Sequence, residues 1–144
     1  MTFAADIDKF VSATKAKVDD VVRAAVVLAA QGVVMKSPVG NPDLWKVPRA
    51  DYVGGRFRAN WQLGIGNLNE ETTGDIDASG NGTIAKFVSG MSGQKAGGVF
   101  WVSNSLPYAL RLEYGWSTQA PAGVVRVTFA ELPDQIEAYA RSLP

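Results

Sequence analysis

The sequence contains neither cysteine nor histidine. The first absence excludes disulfides and thiol nucleophiles, and it leaves the redox compartment open. Together the two absences exclude Ser-His-Asp and Cys-His catalytic arrangements and nitrogen–sulfur zinc sites. Neither sign of charge prevails, since Lys plus Arg and Asp plus Glu number 14 each. A nonspecific nucleic-acid binder displaces phosphate counterions with excess basic charge, which this chain lacks overall. Long apolar runs are missing too. The stretch from Val21 to Val34 is broken by Arg23 and Gln31 and is too short to span a bilayer, so no membrane association is expected. Met1 to Asp6 lacks a basic segment and an early apolar run, so no secretory signal is expected and synthesis is placed in the cytoplasm.

What is present suits one globular domain spanning residues 1–144, because 47% of the residues are apolar and a chain of this length can bury a core without disulfide or metal. From Asp6 to Val34 the apolar positions Ile7, Phe10, Val11, Val18, Val21, Val22, Ala25, Leu28, Ala29 and Val33 recur at steps of three and four. That spacing predicts a long helix with one continuous apolar stripe, ended by Ser37-Pro38. Lys36 to Gly55 reads as a long loop holding Leu44, Trp45 and Tyr52 among prolines and glycines. Such rings either fold back on their own core or lie against a neighbouring subunit.

Arg56 to Gly66 alternates without a break, which predicts a half-buried strand. Phe57, Ala59, Trp61, Leu63 and Ile65 face the core, and Arg56, Arg58, Asn60 and Gln62 face outward. Asn67 to Gly82 is a polar excursion, and Thr83 to Met91 predicts a short helix. Val99 to Val102, apolar on both faces, predicts a central strand with Trp101 in the core. Pro107 suits the first turn of a helix over Tyr108 to Tyr114, with Gly115 as its stop and Tyr108, Leu112 and Tyr114 as core anchors. Gly123 to Ser142 has helical spacing with Pro133 as a kink, and an edge strand over Val124 to Phe129 is the alternative. The fold class is α+β: a small antiparallel sheet against a long N-terminal helix, with a short helix, a C-terminal helix and long interaction loops.

No catalytic constellation emerges, so no enzyme activity is expected. Glu70 and Glu71 are adjacent in a polar loop with nothing to shift a pKa, and Glu113 is expected in solvent or beside an arginine such as Arg111. Gly64-Ile65-Gly66 ends a strand, but Asn69 stands where a dinucleotide fingerprint needs its third glycine, and no cofactor is expected. Asp75 to Thr83 matches the first part of a calcium-binding EF-hand loop, whereas the closing bidentate glutamate is replaced by Lys86. A flexible Asx-rich loop is the expectation, without metal.

Three stretches resemble the tail-component, neck and tail-completion family of long-tailed bacteriophages. They are Ser37-Pro38-Val39-Gly40-Asn41-Pro42 running on to Gly54-Gly55-Arg56-Phe57-Arg58-Ala59-Asn60-Trp61, Val102 to Ser117 through Pro107-Tyr108-Ala109 and Glu113-Tyr114-Gly115-Trp116, and Gln119 to Val127. With the helix before and the tail after, they cover nearly the whole chain. Pro133 and the glycine-bearing loop near Asp75 depart from the family's pattern. The resemblance implies a structural virion protein, made in the bacterial cytoplasm, that forms a homo-oligomeric, hexameric ring at the head–tail junction. That ring joins head-completion or connector proteins to the tail tube or tail terminator and lets DNA pass without specific binding. Ring contacts are heterologous, so the subunit needs two different complementary faces. Candidate interface residues are Trp45, Tyr52, Arg56, Arg58 and Trp116. The alternative is a free-standing binding module, calcium-dependent through the Asp75 loop.

Overall fold

The computed structural model describes residues 2–41, 45–47 and 51–144. Among the described residues seven elements follow one another: α1 (Phe3–Lys36), α2 (Arg56–Ala59), β1 (Gln62–Ile65), α3 (Asn81–Met91), β2 (Phe100–Ser103), α4 (Ala109–Glu113) and α5 (Val125–Ser142). The architecture is α+β. β1 and β2 pair antiparallel, with Gln62 opposite Ser103 and Ile65 opposite Phe100.

α1 starts where the Thr2 side chain accepts from the Ala5 amide, and Asp6 lies favourably in the first turn. It stops at Ser37, whose hydroxyl donates back to the Val33 carbonyl at 2.5 Å just before Pro38. The two halves of this helix live in different surroundings. Residues 2–18 are exposed apart from half-buried Ala5, whereas Ala29, Ala30, Val33 and Val34 are buried. The expected stripe is therefore covered only along the C-terminal half of the helix. Ile7, Phe10 and Val11 continue the stripe but lie beyond the elements that cover it.

Those elements are α3, α5 and the sheet. Ala30, Val33 and Val34 form the core with Phe57, Trp61, Phe87, Leu106, Ala120 and Val124. α5 comes so close to α1 that a methyl group on Gly32 would lie 2.5 Å from the Thr128 methyl, so only glycine fits there. Lys36 and Glu131 add an ion pair at 2.8 Å. Farther along, the Asp19 carboxylate accepts from the Ala96 amide at 2.8 Å and Arg23 donates to the Gln94 carbonyl at 2.6 Å. α5 is helical through Pro133, and the edge strand over Val124 to Phe129 does not form.

The expected strand over Arg56 to Gly66 divides in two. Gly55, at φ 117, opens the helical turn α2, and the strand starts only at Gln62. Phe57, Ala59 and Trp61 are buried as expected, but Asn60 is fully buried as well and Ile65 is exposed. Asn60 belongs inside because its side chain ties two segments together. Its amide donates to the Arg56 and Thr73 carbonyls, and its oxygen accepts from the Thr73 amide at 2.7 Å. Trp101 is also corrected. β2 is paired only with β1 among the described residues, and Trp101, opposite Gly64, is 41% exposed while Phe100, Val102 and Ser103 are half-buried. Tyr108 and Leu112 pack on the core, whereas Tyr114 points outward.

Candidate functional site

Four of the five residues singled out in the sequence line one surface groove. Trp45, Tyr52, Arg56 and Trp116 surround an open space of about 440 Å3, floored by Tyr108 and Leu112. The start of the loop that supplies the first two is fastened to the body at Val39. The Gln119 side chain accepts from the Val39 amide at 3.1 Å and donates to the Val39 carbonyl at 2.9 Å, as a paired strand would. A methyl on Gly40 would sit 2.5 Å from the Tyr52 hydroxyl, so glycine is what lets that ring close down. Trp45 and Tyr52 then lean on each other with centroids 4.7 Å apart, yet both keep more than a third of their surface in solvent. Leu44, and with it Pro42 and Pro48, lies outside the described residues.

On the other side of the groove Trp116 projects from the turn after α4, 76% exposed, with the Arg111 guanidinium 5.6 Å from its ring centre. Gly115, at φ 84, makes the turn that aims it, as the Gly115 stop implies. Burial pushes the Tyr108 phenol above its ordinary range, against the pull of nearby Arg56. Arg56 itself donates to the Thr73 carbonyl at 3.0 Å and remains exposed.

Arg58 is elsewhere. Its guanidinium donates to the Ser37, Ala78 and Met35 carbonyls at 3.0, 2.7 and 3.0 Å, which closes the C-terminal end of α1 against the polar loop. The outward strand face expected to carry it does not exist, because residue 58 belongs to α2.

Two carboxylates have structural roles that spacing alone does not announce. Glu113 caps α5, accepting from the Val124, Val125 and Arg126 amides at 2.9, 2.8 and 3.0 Å. Its arginine partner is Arg126 at 3.2 Å, whereas Arg111 lies over Trp116. A Cβ on Gly123 would strike the Glu113 carbonyl, so the glycine admits this cap. Asp77 does the same for α3, accepting from the Thr83 amide and hydroxyl at 2.7 and 2.8 Å and from the Gly80 amide at 3.0 Å. Asp75 instead stands 4.0 Å from Lys86. The loop that resembles the start of an EF-hand is therefore arranged as a helix cap plus an ion pair. Among the described residues, no group of three or more acidic side chains is placed to hold a metal ion.

Burial alone would raise the pKa of both caps, but the hydrogen bonds they accept outweigh it and hold each carboxyl below its ordinary value. A depressed native pKa gives stability that is full above the unfolded value, about 4, and is lost as pH falls through the native one. Thermal melts should therefore show the midpoint dropping below about pH 4. Glu113→Gln should lower the midpoint at neutral pH and flatten the acid limb, since a neutral amide oxygen accepts these bonds more weakly. An acid limb unchanged in both Glu113→Gln and Asp77→Asn would show that other groups govern it.

Comparison of the chain with family models, with curated proteins and with solved structures returned no match.

Proposed function

We propose that the chain is a structural subunit of a bacteriophage head–tail junction, one copy in a ring that joins the portal-side connector to the tail tube. The sequence resemblance supplies the family. The observation that supports the role is the groove, where two tryptophans, a tyrosine and an arginine from distant parts of the chain share one open face. Tyr, Trp and Arg are the side chains enriched where protein interfaces concentrate their binding energy. A lone subunit gains nothing from holding Trp116 in water, whereas a neighbour seated in the groove buries it. In a closed ring the groove is one of the two faces each subunit requires, and a different surface of the next copy fills it.

Trp116→Ala tests this with little effect on the fold, since most of the ring is already in solvent and such changes alter stability by about 0.5 kcal/mol or less. An anchor residue in an interface is worth about 2 kcal/mol or more, so assembly should weaken roughly thirtyfold. Circular dichroism should show a wild-type melt. Electron microscopy of particles made with the variant should show unjoined heads and tails. Normal joined particles would remove the groove from the assembly, and a wild-type chain that forms no ring with its junction partners would end the reading.

A further inference from the structure

The exposed half of α1 carries a pattern that the groove does not explain. Its apolar side chains Phe3, Ile7, Phe10, Val11 and Val18 fall on one face, with Phe3 81% and Phe10 70% exposed. The same face continues into half-buried Ala25, buried Ala29 and Gly32, which meets Thr128 of α5. Residues 3–18 extend it by about 24 Å and are exposed apart from half-buried Ala5, with Lys95 and Ala96 beside Lys15 and Val18 at its C-terminal end. Four charges border this stripe. At 100° per residue, Asp6 and Lys17 fall along one border and Asp8 and Lys15 along the other. None of the four makes an ion pair within the chain among the described residues.

We infer that residues 3–18 of α1 pair with the same segment of a second copy, antiparallel, about a two-fold axis between residues 11 and 12. The charges select this arrangement. Facing helices in parallel set opposite borders together, so Asp6 meets Asp8 and Lys15 meets Lys17, like against like. Facing helices in antiparallel set each border against itself in reversed order. The midpoint between residues 6 and 17 coincides with that between residues 8 and 15. One register therefore places Asp6 on the partner's Lys17 and Asp8 on the partner's Lys15, and repeats both contacts by symmetry. Four ion pairs then flank the apolar seam.

The same register suits the rest of the fold. Each partner's N-terminus arrives beside residue 20, where the covered part of the helix begins, so the two bodies lie at opposite ends of the paired segment. Five apolar side chains from each copy bury on the order of 1,000 Å2 in total, the lower bound for a specific interface. The pair is accordingly reversible. It is an isologous contact and does not depend on the ring reading. The groove and the helix tip are separate surfaces.

Sedimentation velocity of the whole chain over a concentration series tests the pairing. The wild-type chain should dimerise reversibly in the micromolar range, and Phe10→Glu should be monomeric with an unchanged melt. Asp6→Lys with Asp8→Lys should raise the dimer Kd by about tenfold or more, as should Lys15→Glu with Lys17→Glu, and an equimolar mixture of the two variants should restore it. The sequence has no cysteine, so Ala5→Cys gives a single spin-label position. In the antiparallel pair the two labels are offset by about 20 Å along the helix, and in a parallel pair they are level. A wild-type chain monomeric at about 100 μM would overturn the proposal. So would charge variants without effect, a mixture that dimerises no better than its parts, or labels that lie level.

Discussion

Trp61→Ala should cost about 3–5 kcal/mol, enough to leave much of a marginally stable domain unfolded. Trp61 is buried, meets Phe57 edge-on at 5.7 Å between centroids, and lies in the core beside Val33 and Val34. Its indole N–H donates to the Ser37 hydroxyl at 2.7 Å, and that hydroxyl donates to the Val33 carbonyl. The ring thus both fills the core and fixes the point at which α1 stops. Trp61→Phe separates the two contributions, because it keeps most of the volume and removes the donor, for an expected loss of about 1–2 kcal/mol. Urea denaturation followed by circular dichroism gives both values. An alanine variant that loses less than about 1 kcal/mol would mean the surrounding core collapses around the gap.

Arg58→Glu should be nearly as damaging, although an arginine in an alternating stretch gives no warning of it. The native guanidinium supplies three donors to carbonyls at the end of α1 and in the polar loop. Removing it by Arg58→Ala should cost about 2 kcal/mol, discounted for partial exposure. A glutamate adds repulsion, because it sets a carboxylate beside the negative end of the helix. Arg58→Lys should recover only part of the loss, since an ammonium cannot reproduce a fork that reaches three separated carbonyls. Denaturation midpoints, together with hydrogen exchange at the Ser37 amide, report the effect. An Arg58→Glu chain as stable as the wild type would show that water replaces these donors at no cost.

Why α1 was legible while the segment after the loop was not comes down to period. Over thirty residues the steps of three and four in α1 fit one template only, and the Ser37-Pro38 stop is chemical. Phe57 and Trp61 are four apart, which places them on one face of a strand and equally on one face of a helix. Gly55 decides between these readings, because its left-handed conformation starts the helical turn, and a string of letters does not carry φ. Trp101 was misplaced for a different reason. A run apolar on both faces implies cover on both, but on one side here Trp101 stays 41% exposed.

The site shows the same division. Trp45, Tyr52 and Trp116 are legible because large rings among prolines and glycines are conspicuous; Arg56 is named for the outward face of a strand, and it reaches the groove from α2 instead. The caps made by Glu113 and Asp77 are not legible. Glu113 reaches amides eleven to thirteen residues away, beyond the spacing of any local capping motif.

The close seating of Thr128 on Gly32 also sets an order of events during folding. The two helices it joins stand near opposite ends of the chain, so the C-terminal half of α1 cannot close its apolar face until α5 has been made. Contacts of such long sequence separation demand loop closure before they return any stability, and they slow folding relative to a bundle of sequential neighbours. A nascent chain stopped short of Val125 leaves Ala25, Ala29 and Gly32 uncovered beside the exposed tip of the same helix. That fragment presents one apolar stripe along nearly the whole of α1. Prematurely terminated chains should accordingly be captured by chaperones or aggregate, while the full chain leaves the stripe on α1 exposed only along its first half.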